Sequence, residues 1–312
     1  MIRVSSLRKK YGDITAVKDV SFDIEKGRVY GLLGPNGAGK STVMNIMTGV
    51  LDAEGEVNVD GIDLFDDPRA AKAKIGYLPE VPPVYGELTA VEYLTFIAHA
   101  KGLRGERAES AVAEAMERTG LSEVGGRVIR NLSKGYTQRV GIAGAIIGEP
   151  EYVILDEPTV GLDPIQIREI RELIRDLADE HTVILSSHIL AEVQLLCDEL
   201  IVINRGRIAA SGTKEEVVRA LGGERRIELT VRGGVSTDDF RDIAGITSVS
   251  VDGRGTHNHF TFTVAERDVR EEIALRVTKR GGVIRELYMH EPTLEDIFVR
   301  IITSEEENDG NI

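Results

Sequence analysis

Two kinds of apolar patterning share the first two-thirds of the chain. Residues 2–7 and 20–25 alternate apolar and polar positions, as half-buried strands do. Val29–Leu33, Ile75–Leu78, Tyr152–Leu155 and Thr182–Ser186 are short apolar runs and read as buried strands. Residues 55–60 followed by Gly61 read as a strand and a turn. Between these runs the pattern is helical. Thr89-Ala90-Val91-Glu92 is a capping box opening a helix through about Lys101, and a second helix runs from about Glu106 to Thr119. Ser133 is placed to cap the small, apolar helix that contains Val140–Ile147. Asp163-Pro164 pairs an N-cap with a proline at the first helical position, and Ile170, Leu173, Ile174, Leu177 and Ala178 then form an apolar stripe. Ile189–Asp198 reads as a helix. Leu200–Ile203 and Arg207–Ala210 form a hairpin about Asn204-Arg205-Gly206, and Thr213–Ala220 a short helix.

Gly222-Gly223 reads as a boundary. Beyond it come a strand (Ile227–Val231), a short helix (Thr237–Ala244), strands at Ser248–Val251 and Phe260–Val264, a helix (Val269–Lys279) and a strand (Val283–Met289). That order predicts a small α+β, ferredoxin-like domain over 223–303. A last helix is expected at Leu294–Ile302, and the acidic tail 304–312 is expected to be disordered. No catalytic constellation falls in this region, which suits docking or dimerisation.

A length of 312 residues suits about two domains. No stretch reaches the roughly 18 uninterrupted apolar residues that a membrane span needs. The chain opens directly into a strand pattern, so a cytoplasmic setting is expected. The net charge of −14 argues against general nucleic-acid affinity, and no nucleic-acid partner is expected. Cys197 is the one cysteine, which excludes an internal disulfide; its helical context suits a buried small hydrophobe.

The candidate chemistry centres on Gly34-Pro35-Asn36-Gly37-Ala38-Gly39-Lys40-Ser41-Thr42. It matches the phosphate-binding pattern G-x-x-x-x-G-K-[ST], with an apolar strand before it and a helix after it. Glycines let backbone N–H groups close around phosphate oxygens, and the helix end adds partial positive charge. Lys40 would neutralise the outer phosphates and the Ser41 hydroxyl would hold Mg²⁺. The strand Tyr152–Leu155 ends in Asp156-Glu157, at the end where parallel sheets place ligands. Asp156 would join the metal shell through water, and Glu157 would polarise the water that attacks the γ-phosphate. His188 follows another buried strand, where it can hydrogen-bond a phosphate oxygen or position water. Tyr11 suits either stacking on a base or a plain surface tyrosine, and the residues leave both open. His257 and His259 alternate on a strand, which is weak evidence for metal; His99, His181 and His290 receive no role.

Together these segments resemble the ATP-binding subunit of an ABC transporter over residues 1 to about 220. Gly34–Thr42 is similar to the Walker A motif and Tyr152–Glu157 to Walker B. Leu132–Gln138 resembles the ABC signature and Gly161-Leu162-Asp163 the D-loop. His188 resembles the switch histidine and Tyr11 the adenine-stacking aromatic. The resemblance implies an α/β, ABC-type P-loop ATPase core over 1–222, with an antiparallel edge sheet and a helical subdomain at about 81–150. Two positions depart from the usual family pattern. The signature reads Leu132-Ser133-Lys134-Gly135-Tyr136, keeping Ser133 and Gly135 for the γ-phosphate; Lys134 either adds a cation there or points to solvent. Glu80 stands where the family generally has a glutamine, as a Mg²⁺ or water ligand with added charge. Both departures, and the ending Glu291–Phe298, resemble the ABC-2 exporter branch.

The implied mechanism is a homodimeric sandwich. Each ATP lies between Walker A of one copy and Ser133 and Gly135 of the other, and the dimer drives a separate transmembrane permease from the inner face of the membrane. The competing class is a soluble ABC ATPase acting on ribosomes or DNA. Such proteins usually carry two fused cassettes or a long coiled coil, and this chain has neither pattern. A nucleotide-binding regulator without turnover is disfavoured by retention of Glu157 and His188.

Overall fold

The computed structural model describes residues 1–221, 225–254, 257–265, 267–291 and 293–298. The chain divides into two compact units, Met1–Val217 and Val218–Ile312. The expected boundary at Gly222-Gly223, the tail 304–312 and the end of the last helix lie outside the described residues; within that helix, 294–298 are helical.

The first unit begins with strands β1 (Ile2–Tyr11), β2 (Ile14–Ile24) and β3 (Val29–Leu33), then helix α1 (Lys40–Met47). Next come β4 (Glu54–Val59), β5 (Ile62–Asp63), α2 (Pro68–Ala73) and β6 (Ile75–Leu78). Three helices follow: α3 (Ala90–Ala100), α4 (Glu106–Arg118) and α5 (Lys134–Ile146). The unit continues through β7 (Tyr152–Leu155), α6 (Pro164–Ala178), β8 (Thr182–Ser186), α7 (Leu190–Leu196), β9 (Glu199–Asn204) and β10 (Arg207–Thr213), and the division at Val217 falls within α8 (Lys214–Ala220).

These strands form two sheets. One is antiparallel, in the order β2-β1-β4-β5; the other has six strands in the order β10-β9-β3-β8-β7-β6. In the six-stranded sheet only β10 is antiparallel to its neighbour. The parallel strands are buried on both faces, which is why they read as continuous apolar runs rather than alternations. Ile2, Val4, Leu7, Val17, Val20 and Val57 of the antiparallel sheet share one buried cluster with Tyr30 and Leu32 of β3 and Val43, Met44 and Ile46 of α1.

The strands β1 and β2 run further than the alternation suggested, so Tyr11 ends β1 and the turn is Gly12-Asp13. The cause is a break in register between Val4 and Leu7. Ser6 takes a φ of 50° and its N–H donates to Ser21 Oγ at 2.8 Å. The inward face therefore passes from Ile2 and Val4 to Leu7, and an even-numbered period of two is lost.

The helices α3, α4 and α5 pack on one another. Thr89 and Glu92 close the expected capping box. The Lys101 ammonium donates to the Ala145 and Ile147 carbonyls (2.9 and 2.5 Å), satisfying acceptors at the end of α5.

The second unit contains β11 (Arg225–Arg232), β12 (Ile246–Arg254), β13 (His257–Val264), α9 (Arg270–Lys279) and β14 (Val283–His290). The sheet order β12-β13-β11-β14, antiparallel throughout, is the ferredoxin-like arrangement. Only Thr237–Phe240 of the expected first helix is helical, as one 3₁₀ turn. Phe240 at its end is buried edge-on against Phe260 and Phe262, with centroids 5.4 and 4.9 Å away. That core, with Ile273 and Val277 of α9, covers one face of the sheet.

Candidate functional site

Because β3, β8, β7 and β6 are parallel neighbours, the segments leaving their C-terminal ends emerge at one edge of the sheet. Those segments are the glycine loop after β3, Ser187-His188 after β8, Asp156-Glu157 after β7 and Glu80 after β6.

The loop needs glycine where other elements press on it. A Cβ at Gly34 would lie 2.2 Å from the Ile203 carbonyl, and one at Gly39 would lie 2.8 Å from the Ala16 carbonyl. Gly37 and Gly39 take φ values of 80° and 109°. Gly39 is the N-cap of α1 and offers no side-chain acceptor, so the first N–H groups of the helix receive no side-chain cap. Ala38 is tied outward by the Gly206 N–H, 2.9 Å from its carbonyl. Lys40 is 7% exposed; its ammonium donates to the Gly34 and Pro35 carbonyls at 2.8 and 3.2 Å. Burial pulls its pKa down, opposed by the nearby carboxylates of Glu157, Asp156 and Glu80.

Asn36, Gly37, Gly39, Lys40, Ser41, Thr42, Glu80, Glu157 and His188 line one cavity of about 430 Å³, with Ala16 and Val160. Tyr11 is exposed at the end of β1, with Lys9 Nζ 5.8 Å from its ring, and does not line this cavity.

The carboxylates differ in their surroundings. Asp156 is 2% exposed and accepts a hydrogen bond from Ser186 Oγ at 2.5 Å. The same Ser186 oxygen accepts the Glu157 N–H at 2.8 Å, so one hydroxyl orders both residues. Glu157 is buried with φ at 49°, a left-handed conformation that a non-glycine residue adopts only where its surroundings impose it. Its Oε2 lies 2.7 Å from His188 Nδ1. An ionised Glu157 only accepts, so Nδ1 carries the proton in this pair and Nε2 of a neutral ring does not. Tyr77 donates to Asn45 Oδ1 at 3.1 Å, and burial, reinforced by Asp156, pushes its pKa up.

Ser133 and Gly135 lie elsewhere. Ser133 caps α5, its hydroxyl facing the Tyr136 N–H, and both residues line a second cavity of about 500 Å³. Tyr136, Arg139, Asp163, Ile165, Gln166 and Glu169 share that lining, and among the described residues none belongs to both cavities. Within one chain the fold thus gathers Lys40, Ser41, Glu80, Glu157 and His188 but leaves Ser133 and Gly135 apart. Lys134 runs along the D-loop segment of its own chain: a Cβ on Gly161 would meet its ammonium at 2.2 Å.

Two buried polar groupings carry no motif: Ser186 with Asp156 and the Glu157 N–H, and Glu192 with Thr159 and Ser187. Their signal was slight. Ser186 reads as the end of an apolar strand. Glu192 lies next to Val193 and four residues before Leu196, both buried, so it occupies the inward face of α7.

Ser41 and Glu80 line the cavity while Asp156, 2% exposed, does not; all three offer hard oxygen donors, the chemistry that fits Mg²⁺ held by a few protein groups together with water and phosphate.

A glycine loop wrapped about a buried lysine, opening a helix beside a strand that ends in carboxylates, defines the P-loop class of nucleotide-binding folds. The comparisons narrow this. Residues 17–160 match the ABC transporter family, and residues 212–302 match the C-terminal domain of DrrA1-3-like ATP-binding proteins. The linearmycin resistance ATP-binding protein LnrL of Bacillus subtilis is 35% identical over 305 residues, covering 96% of this chain and 98% of that protein. The bacitracin transport ATP-binding protein BcrA of Enterococcus faecalis is 33% identical, covering 97% and 96%. Among solved structures, an ATP-binding subunit of an ABC transporter is 32% identical with a TM-score of 0.65, covering 71% of this chain and 93% of that one. A dimeric ATP-binding cassette in a post-hydrolysis state, bound to ADP and Pi, is 27% identical with a TM-score of 0.62, covering 68% and 98%. The chain belongs to the ATP-binding proteins of the ABC transporter family, and it is an ATPase.

Proposed function

We propose that two copies of this chain bind two ATP molecules between them and drive a separate transmembrane permease that exports a small toxic compound. The observation that carries this reading is the division of the site. Lys40, Ser41, Glu157 and His188 line one cavity and Ser133 and Gly135 another, and a second copy would bring the second set to a nucleotide held by the first. The exposed apolar side chains Tyr136 and Ile165 on the Ser133 face suit burial in such a pairing. The dimeric cassette among the solved relatives supports the same geometry.

Lys40, the loop N–H groups and Ser133 of the opposing copy would hold the triphosphate. Glu157 would take a proton from the water that attacks the γ-phosphorus as the bond to the β–γ bridging oxygen breaks, yielding ADP and phosphate. His188 would keep that carboxylate in place through its Nδ1 proton. Ser41, Asp156 and Glu80 would hold Mg²⁺, which supplies positive charge against the phosphate oxygens. Tyr11, at the end of β1, would be the stacking surface for adenine.

The permease would dock beside Glu80, where Val81, Tyr85 and Phe96 are exposed and Tyr85 and Phe96 pack edge-on at 5.5 Å. No helix among the described residues is long and apolar enough to cross a membrane, so the span would come from that partner. Relatives named for linearmycin and daunorubicin resistance and for bacitracin transport support export as the direction. The place of action would be the inner face of the cell membrane.

The test is gel filtration of a Glu157→Gln chain with and without Mg-ATP, beside a Glu157→Gln/Ser133→Arg chain. The sandwich predicts dimer only with ATP and only when Ser133 is intact. A monomer under all conditions overturns it.

A further inference from the structure

Glu192 is a buried carboxylate, 1% exposed, that the reaction above does not use. Its Oε2 accepts from Thr159 Oγ1 at 2.6 Å and from Ser187 Oγ at 3.0 Å. Its Oε1 lies 3.5 Å from Arg171 Nη2 on α6. Ser187 Oγ in turn accepts the Ile189 N–H at 3.0 Å. Thr159 stands two residues after Glu157, and Ser187 immediately before His188. The helix α6, which carries Arg171, begins at the Asp163 cap that also lines the Ser133 cavity. One side chain therefore joins the segments that carry the two members of the Glu157–His188 pair, and ties both to the helix behind the D-loop.

The arrangement is costly for a plain helix anchor. A buried ionised carboxylate is unfavourable unless donors compensate it fully. Among the described residues its one cationic partner is at the limit of hydrogen-bond reach, and Arg171 Nε is buried without a hydrogen-bond partner. A leucine at this position would anchor α7 with no such penalty. What a leucine cannot do is hold two hydroxyls from different strand ends at once. The neighbouring backbone calls for that restraint: Glu157 sits at a φ of 49°, bracketed by the Ser186 bond to its own N–H and the Glu192 bond to Thr159.

We propose that Glu192 is a positioning residue for ATP hydrolysis, holding the Glu157 and His188 segments in register through Thr159 and Ser187. The proposal rests on the assignment of Glu157 as the base, and it adds the element that keeps the base aimed. Displacement of a reacting group by an ångström costs rate while leaving substrate contacts intact.

The experiment is steady-state ATP hydrolysis by the full-length chain with Mg-ATP, with thermal melting measured in parallel. Glu192→Gln keeps the shape but has one acceptor oxygen for two: with that oxygen on Thr159 and Ser187, its NH2 faces the Arg171 guanidinium, donor against donor. It is expected to lower kcat by about tenfold to a hundredfold with KM for ATP within about twofold. Thr159→Val is expected to do the same, and Thr159→Ser, which retains the hydroxyl, to restore kcat. The Glu192→Gln/Thr159→Val double variant should be no slower than the worse single one. Should Glu192→Gln fail to fold, the Thr159 pair carries the test, since valine and serine differ in the hydroxyl at issue. Unchanged kcat in folded Glu192→Gln, or equal rates for Thr159→Val and Thr159→Ser, overturns the proposal. Glu157→Gln in the same assay separates the two levels. If it is inactive while Glu192→Gln keeps the wild-type kcat, only the Glu192 role falls; if it is fully active, the base assignment falls and the Glu192 role with it.

Discussion

His188 Nδ1 lies 2.7 Å from Glu157 Oε2, joining residues 31 positions apart. The pair exists because β7 and β8 are parallel neighbours that end at the same edge of the sheet. A carboxylate so held offers one oxygen to the imidazole and keeps the other for water. Replacing Glu157 by glutamine is expected to reduce kcat by roughly a hundredfold or more, because the proton acceptor is lost, with ATP still bound. His188→Ala should reduce kcat by less, since the carboxylate remains. Phosphate-release kinetics measure both, and equal rates in all three proteins would contradict the pairing.

Lys40 is expected to set nucleotide affinity. Its ammonium is buried in the loop, where charge-assisted bonds to phosphate are strong. Lys40→Ala should weaken ATP binding by about 2 kcal/mol, or roughly thirtyfold, by calorimetry. Unchanged affinity would remove the lysine from the phosphate site.

Ser186 is expected to carry stability as well as alignment. It is fully buried and bonds both Asp156 and the Glu157 N–H. Ser186→Ala leaves two buried polar groups without that partner and should cost about 1–3 kcal/mol in urea unfolding. A loss below a few tenths would show that the bridge is dispensable.

Cys197 should make the fold sensitive to alkaline pH. Its thiol is buried against Gly31, and burial pushes its pKa from 9.0 up to about 12. The unfolded chain then loses its proton first, so stability falls as pH rises through 9 towards 12, by up to about 1.4 kcal/mol per unit. Below pH 9 this contribution is fully present. The stability difference between wild type and Cys197→Ala should shrink between pH 8.5 and 10; a constant difference would rule out the coupling. At neutral pH the native thiol should resist alkylation.

Removal of residues 224–312 should leave ATP affinity unchanged. Every residue lining the two cavities precedes Val217, and the second unit has its own core about Phe240, Phe260 and Phe262. A truncated chain that folds but does not bind ATP would overturn that independence.

The phosphate loop was legible along the chain because its chemistry is local. Gly34 to Thr42 place consecutive backbone N–H groups and one lysine by their own conformations, and the strand before and helix after announce themselves by period. The caps at Thr89, Ser133 and Asp163 were readable for the same reason: a cap and the N–H it accepts lie within three residues. The bulge at Ser6 was not readable, since it depends on Ser21 across the ladder.

What only the folded chain decided is which segments meet. The order β3-β8-β7-β6 brings His188, Glu157 and Glu80 around the loop, and no periodicity encodes strand order, because pairing partners lie far apart in the chain. The role of Glu192 emerges only when the ends of β7 and β8 converge on its carboxylate. The separation of Ser133 from Lys40 into two cavities is likewise a property of packing. Local propensity specifies what each segment can bind; long-range packing specifies which of them can bind the same thing at once.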